Sequence, residues 1–296
     1  MNHNHDHSYK IGEKGAWLGI ISNIILFGIK LFAGIFGRSQ AMLADAFHTA
    51  SDAFTSLGVF IGFKIAKQPA DEHHPFGHGR AESIVAKLVS IVLIAVGLRI
   101  AYSSARILIA GELTEPGVIA LVVAVVSIVV KEFTYRRVMR ASKEINSSSL
   151  KADAYHHRSD VLSSVAALIG IAGAMRGYRF MDPLAGIIVA GFIIKIGGET
   201  FHVAYDELMD AAPPEELRDR IRAVILGTEG VEEVKKIMVR KAGIELLMEI
   251  TIGVDAGKTV KEGHDVTERI KKNMFREIPE ARDVLVHVEP SGALPE

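Results

Sequence analysis

Six apolar stretches, near 15–36, 41–63, 83–109, 117–135, 152–175 and 182–204, are long enough to cross a bilayer as helices, which takes about 20 residues each. A chain carrying such segments folds in lipid as a helical bundle, because every backbone polar group must be satisfied within its own segment. The C-terminal third is different in kind: residues 213–290 are rich in charge and alternate apolar with polar positions. The expected architecture is a membrane α-helical bundle of six transmembrane helices followed by a small cytoplasmic α+β domain. Residues 1–14 then read as a His-rich cytoplasmic N-terminal tail, 15–212 as the membrane domain, 213–290 as the α+β domain and 291–296 as a C-terminal tail.

The connections at 37–40, 110–116 and 176–181 are short. Those around 64–82 and 136–151 are longer and basic, with Lys64, Lys67 and Arg80 in the first and Arg136, Arg137, Arg140, Lys143 and Lys151 in the second. Lys and Arg mark the cytoplasmic side, so these two connections and both termini are expected there, in a multi-pass protein of the cell membrane. The start, MNHNHDHSYK, lacks the apolar core and cleavage site of a signal peptide, and its interrupted His pattern reads as a solvated tail or, alternatively, as a weak metal-binding tract. In the α+β part, Pro213-Pro214-Glu215-Glu216 opens a helix with acidic residues in its first turn. Strands are expected at 232–241, 244–254 and 283–289 and a second helix at 258–276, giving the order αββαβ. A domain of this size has a marginal core, which makes pairing with a second copy plausible.

Two segments of the membrane part are close copies of each other: Ala44-Asp45-Ala46-Phe47-His48-Thr49-Ala50-Ser51-Asp52 and Ala152-Asp153-Ala154-Tyr155-His156-His157-Arg158-Ser159-Asp160. Each sets His and Asp at i, i+4, which stacks both side chains on one helix face. On facing antiparallel helices, His48, Asp52, His156 and Asp160 converge near mid-membrane as two nitrogens and two oxygens, a set suited to a divalent metal. Asp at a helix centre costs roughly 2.5–3.5 kcal/mol on insertion scales, so these groups are expected to be functional. Asp45 and Asp153 repeat as well and read as groups that orient the helices or their ligands. Cysteine is absent, so disulfides and thiolate ligands are excluded. The net charge of −1 implies no general attraction to nucleic acid.

Three weaker signals stand beside this one. His202 and Asp206 share the spacing but sit at a helix end, where water can solvate them. The loop Asp71-Glu72-His73-His74-Pro75-Phe76-Gly77-His78-Gly79-Arg80 is equally readable as a metal cluster or as a solvated turn. In the tail, His287 and Glu289 share one strand face and His264 lies on the preceding helix, an arrangement more usual for solvent-exposed positions.

Six spans, paired HxxxD motifs on the second and fifth, a DxxHxxxH loop running into Gly-Arg-Ala-Glu-Ser, and an αββαβ tail together resemble the cation diffusion facilitator family over essentially the whole chain after its first dozen residues. The resemblance implies a homodimeric membrane transporter exporting Zn2+ or a related divalent ion in exchange for protons, with a metallochaperone-like tail and no organic cofactor. Its transport positions match His48, Asp52, His156 and Asp160, and its loop site matches Asp71, His74 and His78. A salt bridge that tightens the dimer matches Arg80 with Asp210. In the tail, His264, His287 and Glu289 match, but Lys235 and Thr251 stand where well-studied zinc members carry His. The tail then holds one ion or is held mainly by packing.

Two imidazoles favour Zn2+ over Mn2+ or Mg2+, with Fe2+, Co2+ and Cd2+ open. An intramembrane metalloprotease is disfavoured, since it needs a general-base Glu beside its ligands and an open coordination position. The motifs here read HTASD and HHRSD. No enzymatic activity is expected. A membrane-anchored metal sensor is the remaining alternative.

Overall fold

The structure is a computed structural model that describes the backbone of residues 2–66, 68–144, 148–243 and 245–292. Inside its helices, the side chains of 2–18, 55, 56, 59, 60, 63, 144, 148–153, 156 and 159 lie outside the described residues, which covers the N-terminal His tract, Asp153 and His156.

Six long helices come first: α1 (Asn2–Phe36), α2 (Gln40–Ala66), α3 (Ala81–Ala110), α4 (Val118–Glu144), α5 (Ser148–Met175) and α6 (Met181–Leu208). Among the described residues, four spans are long and apolar enough to cross a membrane: Gly19–Phe36, Ala81–Ala110, Val118–Lys143 and Met181–Leu208. Helices α2 and α5 are as long, at 27 and 28 residues, but carry the His and Asp of the repeated motif. Two boundaries differ most from expectation. Helix α1 already begins at Asn2, inside the segment read as a tail. Helix α4 continues to Glu144, so Arg136, Arg137, Arg140 and Lys143 are helical rather than in a connection. There Arg136 Nε bonds Glu132 Oε1 at 2.6 Å, an i, i+4 pair, and Arg137 lies over the Phe133 ring.

The chain divides into two compact units, residues Met1–Gly58 with Leu88–Phe201 and residues Val59–Lys87 with His202–Glu296. The first buries small side chains and exposes large ones. Ala33, Ala41, Ala120, Ala124 and Ala167 pack around Met42 and Ile171, and Ala44 and Ala190 around Leu93, Val189 and Ile193. Ile24, Phe32, Leu88, Val122 and Leu162 face outward. That inversion suits a bundle whose outside is hydrocarbon, where close helix approach replaces the hydrophobic drive. A Cβ at Gly97 would come within 2.7 Å of Ile194 and one at Gly197 within 2.8 Å of Ile94. Glycine at both positions is what lets α3 and α6 touch.

In the second unit α7 (Glu215–Leu226), β1 (Glu233–Ala242), β2 (Glu245–Val254), α8 (Val260–Glu277) and β3 (Ala281–Pro290) keep the expected αββαβ order. Strand β2 is central, antiparallel to β1 and parallel to β3. Its alternating Leu246, Met248, Ile250, Ile252 and Val254 meet Val266, Ile270 and Met274 of α8 and Ile221 and Ile225 of α7 in one core. Helix α8 starts at a capping box: Thr259 Oγ1 accepts from Glu262 N, and Glu262 Oε2 accepts from Thr259 N at 2.8 Å. That bond, with the Thr259 hydroxyl, holds the Glu262 carboxyl below its usual range.

Candidate metal centres

Helical periodicity puts His48 and Asp52 one turn apart on α2, and residues 156 and 160 likewise on α5. The fold then brings the two helices' ligands together. His48 Nε2 lies 3.9 Å from Asp160 Oδ1, with both side chains buried. Ligands of a tetrahedral ion at the usual bond lengths are about 3.4 Å apart, so a shift of a few tenths of an ångström suffices. His48 Nδ1 has no hydrogen-bond partner among the described residues. Asp52 is half-buried, and the side chain of His156 lies outside the described residues.

Two residues that sequence reasoning passed over complete the charge balance. Lys30 of α1 and Lys131 of α4 are fully buried. Lys30 Nζ pairs with Asp45 Oδ2 at 2.6 Å and donates to Thr49 Oγ1 and Ser164 Oγ, each at 3.0 Å. Ser163 and Ser164 in turn donate to the Asp45 carboxylate at 3.0–3.1 Å. Asp45 thus ties α1, α2 and α5 together, as its expected orienting role requires. Lys131 Nζ stands 3.3 Å from Asp160 Oδ2. The available signal was a single Lys inside each apolar run, ILFGIKLFAGIF and VVSIVVKEF, a placement too costly to be idle.

The loop between α2 and α3 gathers a second group. Asp71, His74 and His78 place one ligand atom each within 4.8 Å of one another. Asp71 Oδ1 accepts from the backbone N–H of His73 and His74 at 2.9 and 2.6 Å, and the His74 bond chiefly holds its carboxyl below the usual range. Gly77, at φ +77°, closes the turn that returns its N–H to His74 O. With His78 Nδ1 donating to Pro69 O at 3.2 Å, the Nε2 lone pair faces Asp71 Oδ2 at 3.5 Å. A carbonyl on the far ring nitrogen is the arrangement that orients a metal-binding imidazole. The turn thus gathers three groups that could hold a metal.

Next to this loop, Arg80 and Asp210 form the expected ion pair, each about 40% exposed. Asp210, in the turn after α6, lies in the left-handed region at φ +56°, which short polar side chains tolerate. The structure adds Arg240 of β1, with Nη1 3.5 Å from Asp210 Oδ2 and its guanidinium over the Phe76 ring of the loop. His202 and Asp206 pair at 3.4 Å in the open, as expected for a solvated helix end.

The tail positions come together less well. Lys235 falls at a β-bulge, where the β1–β2 register slips between Val234 and Lys236, a device that re-aims a side chain. Its Nζ reaches Glu289 Oε2 at 2.8 Å and Pro290 O at 3.1 Å, and this bond holds the Glu289 carboxyl below its usual range. His287 Nε2 is 3.6 Å from Glu289 Oε1, across the ladder from Thr251. His264 is not gathered with them into a ligand group among the described residues.

Residues 16–209 match the cation efflux transmembrane domain and 213–291 the cytoplasmic domain of cation efflux proteins. The chain belongs to the cation diffusion facilitator family. It is similar to the manganese efflux system protein MneP of Bacillus subtilis, 35% identical over 95% of this chain and 97% of that one. It is equally similar, at 35%, to metal tolerance protein C1 of Arabidopsis thaliana, over 95% of this chain and 63% of that protein. The metal-bound C-terminal domain of the CzcD transporter from Thermotoga maritima is 31% identical, covering 27% of this chain and 93% of that one at a TM-score of 0.26. This cation diffusion facilitator is thus a multi-pass integral membrane protein of divalent metal efflux.

Proposed function

We propose that the protein exports divalent ions from the cytoplasm, Zn2+ foremost, in exchange for protons, by alternating access in a homodimer. His48, Asp52, His156 and Asp160 are its transport ligands. The observation that carries this reading is the buried approach of His48 Nε2 to Asp160 Oδ1 from two different helices. Zn2+ takes neutral imidazole and ionised carboxylate, so loading metal expels protons and protonation releases metal. Helices α2 and α5 complete a six-span bundle in the plasma membrane, with both termini cytoplasmic. Asp71, His74 and His78 bind a further ion, and the tail pairs with that of a second copy. No hydrolytic role is assigned, because neither ligand motif carries a Glu to act as base.

A second reading, Mn2+ export, is favoured by the similarity to a manganese efflux protein and by the carboxylates of Asp52 and Asp160. Sites containing nitrogen nonetheless bind Zn2+ more tightly than Mn2+. Proteoliposomes holding an imposed pH gradient, offered Zn2+, Mn2+, Fe2+, Co2+ and Cd2+ in turn, test both readings. Zn2+ flux that follows the gradient in the antiport sense is expected. Mn2+ flux exceeding Zn2+ flux selects the second reading, and metal binding without flux of any ion overturns the transporter reading in favour of a sensor.

A further inference from the structure

The two buried lysines are held in different ways, and the difference has a functional meaning. Lys30 sits in a closed set of partners, Asp45, Thr49 and Ser164, that contains no transport ligand. Lys131 instead faces a transport ligand directly, 3.3 Å from Asp160 Oδ2, in an orientation that leaves its Nζ without a hydrogen bond of ordinary geometry among the described residues. The two oxygens of Asp160 are therefore divided, Oδ1 toward His48 Nε2 and Oδ2 toward the ammonium.

We propose that Lys131 is a tethered cation that holds Asp160 between transport cycles and gives it up when the metal ion enters. This rests on the reading of His48, Asp52 and Asp160 as transport ligands. With neutral imidazoles, Asp52, Asp160 and Lys131 sum to one negative charge before loading and one positive charge after a divalent ion arrives. Without the ammonium the loaded site would be neutral and the empty one doubly negative. In a buried site such charges are poorly screened. The ammonium therefore raises the free energy of the loaded state and lowers that of the empty one. Lys131 sets affinity low enough for release and keeps Asp160 from standing as an uncompensated buried charge during the return step. A bound ion on Asp160 Oδ1 and the ammonium on Oδ2 draw on one carboxylate, so each weakens the other's hold on it.

The test is metal affinity and flux in the full-length protein, with Zn2+ alone as probe, for the wild type, Lys131→Gln and Lys131→Arg. Lys131→Gln removes the competitor, so Zn2+ should bind about tenfold tighter or more, while maximal flux falls because release is slow. Lys131→Arg keeps the charge and can grip the carboxylate with two parallel bonds, so its Zn2+ affinity should fall below the wild type. This opposite displacement tests the proposal even if the glutamine variant does not fold. A merely structural lysine would lower affinity and flux together. Affinity that is unchanged or weaker in folded Lys131→Gln, or unchanged or tighter in Lys131→Arg, overturns the proposal. Wild-type Zn2+ binding that survives Asp52→Ala unchanged would instead overturn the site assignment on which it rests.

Discussion

The centre on α2 and α5 and the cluster in the loop after α2 use the same two ligand types in opposite surroundings. At the first, His48 and Asp160 are almost fully buried and the balancing charges are themselves built in, Lys131 on Asp160 and Lys30 on Asp45. At the second, Asp71 and His74 are at least half exposed, and backbone N–H groups satisfy the aspartate. Where water is absent, an ionised carboxylate has to be met by another charge or it does not stay ionised. Where water is present, turn geometry is enough. On the proposed reading, affinity at the buried centre is governed by the charges the fold places there, and at the loop by how well the turn pre-arranges its three groups.

The largest expected effect breaks the comparison if it fails. Asp52→Ala should lower flux by about 100-fold or more, since a metal site that loses a ligand loses more than the 10- to 100-fold cost of disturbing that ligand's supports. His78→Ala, at the exposed cluster, should leave most of the flux in place. Equal losses in a proteoliposome assay would mean that burial does not separate the two sites. His48→Asp sharpens the point, because exchanging nitrogen for oxygen should move preference from Zn2+ toward harder ions such as Mn2+.

Next in size is the Lys30–Asp45 pair. Lys30→Met leaves Asp45 buried without its counter-charge and should cost about 3–5 kcal/mol of stability, while Lys30→Met combined with Asp45→Leu should recover much of the loss. Thermal unfolding in detergent measures both. A single variant that melts like the wild type would show that this cluster is not what ties α1, α2 and α5 together.

The tail offers a smaller, pH-dependent effect. The bond from Lys235 holds the Glu289 carboxyl below its ordinary range, so the pair's stabilisation is fully present above the ordinary glutamate pKa and fades as pH falls through the lowered one. Hydrogen exchange at β3 should distinguish Lys235→Ala from the wild type at neutral pH and converge with it in acid. A difference that persists unchanged in acid would assign the effect of Lys235 to packing.

The smallest effect is expected at Asp210. With both partners of the Arg80 pair about 40% exposed, Asp210→Asn, which still tolerates the left-handed backbone, should cost about 0–1 kcal/mol. Dimer cross-linking that collapses in this variant would show that the pair is shielded in the assembly.

The helices, the αββαβ tail and one half of each site were readable along the chain because they rest on local periods. The 3.6-residue turn puts His48 above Asp52, and the two-residue alternation of β2 puts Leu246 to Val254 on one face. The less regular parts arise from contacts that no periodic pattern encodes. Helix α4 outran its expected end because Arg136 and Arg137 found partners one turn back on their own helix. The bulge at Lys235 lies between the paired strands β1 and β2, and the ion pair it allows with Glu289 joins β1 to β3, strands that are not neighbours in the ladder.

By itself the sequence determined the class of molecule and the two HxxxD motifs, and it placed Asp71, His74 and His78 in one turn, since residue type and spacing suffice for groups that share one helix face or one turn. Only the tertiary structure decided that Asp160 faces His48 with one oxygen and Lys131 with the other, and that Asp45 is a tie rather than a ligand. The physical reason is that burial makes charge balance a property of whatever helices pack together. Lys30, Asp45, Lys131 and Asp160 come from four separate helices, and nothing in their order along the chain says which will meet.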